Sequence, residues 1–190
     1  MKAPAKVLWL AVATLGVGSL AVAADAFQVD AVHSSVLFRV KHMNTSYAYG
    51  RFNDVSGKFQ VDEADPSKSV MDLTINAESV DTANAKRDLH LKGPDFFNAK
   101  EFPTITFKGK SFRKTAAGYD VAGDLTLHGV TKPVTFKLGL TGSGKGMRGE
   151  ALAGVEGSAV LKRSDFGMTY MVGPIGDEVT VTAALEGSRK

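Results

Sequence analysis

The sequence predicts a mainly-β domain: an eight-stranded antiparallel barrel carrying one short helix at about residues 84–92. Three observations predict it. Eight segments beyond the first two dozen residues alternate apolar and polar side chains with a period of two. Short turns rich in Gly, Asp, Asn and Ser join them. A single stretch, Asp81 to Pro103, interrupts the series with a helical pattern. Strands of this kind suit a barrel closed around one small ligand, and the same pattern also fits a two-sheet sandwich.

The first strand runs from Phe27 to Met43, with Ser34, Val36, Phe38, Val40 and His42 on one face and His33, Ser35, Leu37, Arg39 and Lys41 on the other. Asn44 to Gly50 reads as a turn-rich link. Arg51 to Asp62 is the second strand, with Gly57 a candidate bulge. After the turn at Asp65-Pro66-Ser67, Ser69 to Ala77 sets Met71, Leu73, Ile75 and Ala77 against Asp72, Thr74 and Asn76. In the interruption Asn84 caps a short helix that Gly93 and Pro94 end. Pro103 to Phe112 resumes the strands, and Lys114 to Gly118 turns into a segment whose Tyr119, Val121, Leu125 and Leu127 share a face. His128-Gly129-Val130-Thr131 is a tight turn before Val134, Phe136, Leu138 and Leu140. Gly142 to Gly149, with four glycines, reads as a loose loop. Ala151 to Leu161 carries small residues on its apolar face, Asp165 to Pro174 is irregular, and Asp177 to Glu186 is the eighth strand.

Residues 1–24 have the secretory-signal pattern, with Lys2 and Lys6 ahead of an apolar run and Ala21-Val22-Ala23-Ala24 at the end, so cleavage is expected after Ala23 or Ala24. The remainder, 25–190, reads as a single domain of an exported protein. Loss of Lys2 and Lys6 leaves 21 basic against 20 acidic residues, a net charge that gives no electrostatic footprint for nucleic acid or an anionic membrane. The absence of cysteine excludes thiol chemistry and Cys-type zinc sites.

The four histidines contain no H-x-x-x-H or H-E-x-x-H pair, and His33 and His42 fall on opposite faces of one strand. A site of His42, His90 and a carboxylate is the metal alternative the spacing leaves open, and no metal is expected. No G-x-S-x-G elbow marks a hydrolase, and the glycine-rich stretch precedes no helix that could hold phosphate. On the helix, Arg87 and His90 are three residues apart and share a face beside Leu91. Two donors beside an apolar face suit the head of an amphiphile. Equally, Arg87 paired with a carboxylate, and Asp88 with backbone, would hold the helix on the barrel rim.

Six stretches in this order carry a resemblance: DAVHSSVLFRVKHM at Asp30 to Met43, YGRF at Tyr49 to Phe52, RDLHL at Arg87 to Leu91, FPTITF at Phe102 to Phe107, GDLTLHGVTKPV at Gly123 to Val134 and RSDFGM at Arg163 to Met168. Through them the chain resembles the YceI-like family across nearly all of its mature length. The resemblance implies an exported, non-enzymatic, lipocalin-like eight-stranded barrel that encloses a long isoprenoid or quinone-like lipid. It also admits a homodimer, and it leaves a membrane redox protein as a remote partner, because some relatives are fused to a cytochrome of the b561 type.

Combining faces and resemblance, the expected ligand-binding residues are Phe38, Val40, Phe52, Leu73, Ile75, Phe107, Leu125, Phe136, Val155 and Val181 in the lumen. His42, Arg87 and His90 stand at the head group or rim. No catalytic residue and no cofactor other than the bound lipid is expected. Two other function classes remain as alternatives: an enzyme acting on a lipid head group through His90, Asp88 or His42, and a structural or stress-response partner of an envelope protein.

Overall fold

The computed structural model describes residues 26–189, so the signal segment expected at 1–24 lies outside the described residues. The strands are β1 (Phe27–Val29), β2 (Ser35–His42), β3 (Ser46–Phe52), β4 (Val55–Gln60), β5 (Val70–Asn76), β6 (Val80–Asp81), β7 (Thr104–Thr115), β8 (Gly118–Leu127), β9 (Val130–Lys145), β10 (Ala151–Lys162) and β11 (Ile175–Arg189). One α-helix, α1 (Ala85–Lys92), lies between β6 and β7. All neighbouring strands are antiparallel, in the order β1-β4-β5-β7-β8-β9-β10-β11, and β1 returns to pair with β11. That closure makes the eight-stranded barrel and rules out the two-sheet sandwich.

Among the described residues eleven strands fill eight positions: two expected strands, Phe27 to Met43 and Arg51 to Asp62, are broken, and the one expected to end at Ala77 resumes beyond a turn as β6. Phe27 to Met43 divides where the Asp30 carboxylate accepts the Val32 N–H at 2.8 Å, separating β1 from β2. Asn53 and Asp54 separate β3 from β4, and a 3-10 turn at Ala77–Ser79, capped by the Asn76 side chain, separates β5 from β6. The last two breaks are bonded to each other. Asn76 N donates to Asp54 O at 3.0 Å and Asn53 N to Ser79 O at 3.1 Å, so the sheet bends there as one unit. In each case a short polar side chain takes a backbone N–H from the ladder: Asp30 that of Val32, the Ser79 hydroxyl that of Asp54 and Asn76 that of Glu78.

The breaks make the two ends of the barrel different. At one end β11 pairs with β1 through Gln28↔Ser188 and Val29↔Gly187, while β1 pairs with β4 through Phe27↔Phe59. Phe27 stacks on Phe59 with centroids 5.9 Å apart, and this end is packed shut. At the other end β11 leaves β1 for β2, and β6 follows β3 while β5 stays with β7. The wedge between β6 and β7 receives α1 and the chain that follows it.

Four local expectations need correction. Asn44 to Gly50 is largely strand, since β3 begins at Ser46 and its alternating residues pair with β2 in regular register. Gly142 to Gly149 is not a loop throughout: β9 continues to Lys145 against β10, and only the turn at 146–150 is irregular. Gly57 is not a bulge, because β4 and β5 pair without a shift there. Its φ is +130°, and an added Cβ would stand 2.1 Å from the Asp72 carbonyl oxygen, so the close approach of β5 requires glycine. The register shifts fall instead at Gly109/Ser111, Gly154/Val155 and Ile175/Val179. Val155 points inward but is only 2 % exposed and lies in packed core, not on the cavity wall.

Gly118, with φ +133° and room for no Cβ beside the Leu138 carbonyl oxygen, is held in the same way as Gly57. Gly57→Ala and Gly118→Ala should each lower the unfolding free energy by roughly 1–3 kcal/mol in urea titrations. Gly139→Ala, whose new methyl meets nothing within 4 Å, should stay within about 0.5 kcal/mol of the parent chain.

Candidate functional site

Inward-facing residues of the barrel do not fill it. Above the packed floor lies a cavity of about 590 Å³, within the size range of small-ligand sites. Its wall is made by alternate residues of β2, β5, β7, β8, β9 and β11, among them Phe38, Val40, Leu73, Ile75, Phe107, Leu125, Phe136 and Val181. Phe52 at the end of β3 completes this set. Every expected lumen residue except Val155 borders the cavity, as do His42, Arg87 and His90 at its mouth.

The chain from α1 to β7 closes over the wedge. Asn84 caps α1 by accepting the Arg87 N–H at 3.0 Å, and Gly93 ends it by donating to His90 O at 3.0 Å. Phe97 N donates to Leu91 O at 2.9 Å, which folds the following turn back on the helix. Phe97 then meets Phe38 and Phe52 from the barrel, with centroids 6.3 and 5.3 Å away. Phe96 stands edge-on to both His90 (5.0 Å) and Tyr170 (5.5 Å). The segment is therefore a lid whose two phenylalanines form part of the cavity wall.

Thr82 is the hinge post of this lid. Its N–H and hydroxyl both donate to Asp88 Oδ1, at 2.8 and 2.5 Å. Its hydroxyl oxygen accepts from Arg87 Nε at 2.7 Å and its carbonyl from Arg87 Nη2 at 2.6 Å. Arg87 thus braces the helix through a threonine, where the sequence suggested a carboxylate, while its side chain still borders the mouth. Asp88 makes the expected backbone contact. His90 joins Asp95 on its own lid, Nε2 to Oδ2 at 2.9 Å.

Arg163 was not singled out as a site residue, although it opens one of the six signature stretches. It is 5 % exposed and borders the cavity. Its Nε donates to Gly176 O at 2.9 Å, Nη1 to Met168 O at 2.8 Å and Nη2 to Ile175 O at 3.0 Å. One side chain therefore ties both ends of the 167–174 loop, which forms the far lip of the mouth. Burial draws its pKa below the usual arginine value, and the charge of Asp177 opposes that shift. The carboxylate itself accepts from Ser164 N and Oγ at 2.9 and 2.7 Å.

The lining is polarised along the barrel. Among the described residues no Asp, Glu or Lys borders the cavity. Its polar side chains, including Ser46, Thr82, Arg87, His90 and Arg163, come from the mouth end, and the lower wall is aliphatic and aromatic. The structure does not bring His42 and His90 together with a carboxylate. Among the described residues, a three-ligand grouping occurs instead at the packed end, where Asp30, His33 and Glu186 meet in the open. There the hydrogen bond that the His33 ring gives to the Asp30 carboxylate holds the His33 pKa above its usual value.

Comparison with known proteins places this geometry. Residues 27–187 match the description "YceI-like domain". The chain belongs to the YceI-like family. It is 45 % identical over 172 residues to a UPF0312 protein of Pseudomonas aeruginosa, covering 90 % of each chain. The crystal structure of Burkholderia cenocepacia BcnA superposes with a TM-score of 0.74 at 27 % identity, over 84 % of this chain and 99 % of that one. A polyisoprenoid binding domain from Saccharophagus degradans, implicated in plant cell wall breakdown, shares the fold, with a TM-score of 0.66 at 18 % identity over 87 % of this chain and 99 % of that one.

Two substitutions test how the YceI-like barrel holds its mouth. Thr82→Val keeps the shape of the side chain but removes the hydroxyl's bonds to Asp88 and Arg87, leaving only the two backbone ones. It should cost about 1–3 kcal/mol in denaturant melts and speed amide exchange in α1 before that of the barrel strands. Arg163→Met leaves three carbonyls without their donor. It should destabilise by about 3 kcal/mol or more and raise exchange selectively across 167–176.

Proposed function

We propose that this chain is a periplasmic carrier that takes the apolar tail of one isoprenoid or quinone-like amphiphile into the barrel and keeps its head at the mouth. The observation that carries the reading is the polarity gradient of the cavity: a dead-ended apolar floor beneath a rim of hydrogen-bond donors. Each methylene buried in such a lumen contributes about 0.8 kcal/mol. Tail length is therefore read weakly, and a head group that meets directional donors is read more sharply to the extent that lid and lip shield them from water. Arg87, His90 and the hydroxyls of Ser46 and Tyr170 are the groups at that level.

Support comes also from the fold-level likeness to a domain named for polyisoprenoid binding and, for the compartment, from the signal pattern of residues 1–24. The reading assigns no chemistry to the mouth. Asp88 is engaged by Thr82 and His90 by Asp95, roles that hold the lid in place.

Native mass spectrometry of the chain purified from its own host tests the proposal. One long-chain amphiphile per barrel, released on denaturation, is expected. Ala183→Trp, which places an indole inside the wall, should reduce occupancy at least tenfold while preserving a cooperative melt. A parent chain that is consistently ligand-free, or that turns over lipid esters, would replace the carrier reading.

A further inference from the structure

We propose that the rim of the mouth is a docking surface for an anionic lipid bilayer, an inference that rests on the carrier reading and says where the cargo enters and leaves. Among the described residues, seven of the twelve exposed large apolar side chains lie at that end. Met43, Tyr47 and Tyr49 on the β2–β3 hairpin, Leu89 on α1 and Tyr170 to Val172 on the lip loop are each between 39 and 74 % exposed. The three segments touch. Met43 N donates to Pro174 O at 2.6 Å, and the Tyr170 ring stands edge-on to His90, 5.6 Å away. The apolar patch is therefore continuous around the mouth and with the cavity behind it.

Charge on this surface selects the occupant. Cross-strand register sets Lys41 beside Tyr47 and Arg39 beside Tyr49 on the outer face of the hairpin. Both cations fold over the Tyr47 ring, the Arg39 guanidinium carbon at 4.6 Å and Lys41 Nζ at 4.9 Å from its centroid. Neither joins an ion pair among the described residues, whereas the nearby carboxylates Asp88 and Asp95 are already bonded to Thr82 and His90. Tyrosine rings carrying unpaired Arg and Lys, next to exposed Met, Leu and Val, match the boundary between anionic head groups and acyl chains. With the rim seated there, an amphiphile passes between bilayer and lumen without its tail crossing water.

The test is co-sedimentation of the mature chain with vesicles of phosphatidylglycerol mixed with phosphatidylethanolamine, against vesicles of phosphatidylcholine alone. The parent chain should bind the anionic vesicles, and about 1 M salt should weaken that binding. Arg39→Gln with Lys41→Gln should lower affinity roughly 30-fold, at about 1 kcal/mol per cation near an anionic surface. Leu89→Ser with Val172→Ser, neither of which borders the cavity, should remove the salt-resistant remainder. Lys145→Gln with Arg148→Gln, the same charge change at the packed end, should have no effect.

Absence of vesicle binding, or equal losses from both cation pairs, would overturn the proposal. So would self-association in ultracentrifugation that the rim variants abolish, which would assign the patch to a second copy of the chain. Uptake of a dansyl-labelled long-chain fatty acid, measured without vesicles, separates the two readings. Loading without vesicle binding overturns the docking surface and leaves the carrier; rim-dependent vesicle binding without loading supports the surface and overturns the carrier.

Discussion

The whole barrel depends on a three-residue strand. β1 bonds to β11 on one side and to β4 on the other, and without it the sheet would have two free edges at the packed end. The join is tight because Gly187 has no side chain: a Cβ there would stand 2.8 Å from the Phe59 ring and 2.9 Å from Phe27 Cβ. Phe27 and Phe59 consequently stack across the seam, and Arg189 lies over Phe27 at 4.5 Å. Closure in a short sheet removes edges that would otherwise invite pairing with other chains. Here it also creates a floor. The lumen has one way in because the seam is packed with rings.

Closing one end forces the other open. A barrel needs its strands staggered and tilted, and in this chain the tilt is taken up by the aligned breaks at Asp30, Asn53 and Ala77–Ser79. Beyond them β2, β3 and β6 swing away from β5 and β7, and the resulting gap is too wide for a hydrogen-bonded ladder. The lid answers that gap. An eight-residue helix has little stability alone, so α1 relies on the four hydrogen bonds at Thr82 and on Phe96 and Phe97 reaching into the lumen. The lid is fixed by polar bonds on its barrel side and by apolar contacts on its cavity side, so in the proposed carrier the second set could adjust to cargo while the first holds.

Much of this was legible in the residues. Period-two alternation located all eight strand positions, and Asn84 with Gly93 bounded the helix to within a residue, because both signals are local and repeat over several positions. The breaks were not legible, since a side chain that captures one backbone N–H leaves the alternation of its neighbours untouched. Ser46 to Gly50 read as a turn because Ser, Asn and Gly surround Tyr47-Ala48-Tyr49, yet pairing with β2 outweighs those preferences. Alternation also cannot say how deep a residue sits: Val155 and Val181 look equivalent on their strands, and only the seam beneath Val155 makes one core and the other wall. Arg163 escaped notice as a site residue for a similar reason. Its three partners are backbone carbonyls, which leave no mark in a sequence.

The unequal ends also set what the site can and cannot distinguish. An apolar wall offers no directional contacts, so its selectivity rests on volume and weakens wherever a flexible tail can coil. The mouth offers directional donors, but Arg87 and His90 are exposed and already share their hydrogen bonds with Thr82 and Asp95. In the proposed carrier, a head group would compete with water for the remaining N–H groups of Arg87 and would gain most when lid and lip loop meet above it and exclude that water. The rings of Phe96, His90 and Tyr170 already meet there, edge to face. On the carrier reading, selectivity for the head is thereby coupled to the position of the lid, and the position of the lid to Thr82, whose bonds to Asp88 and Arg87 brace α1.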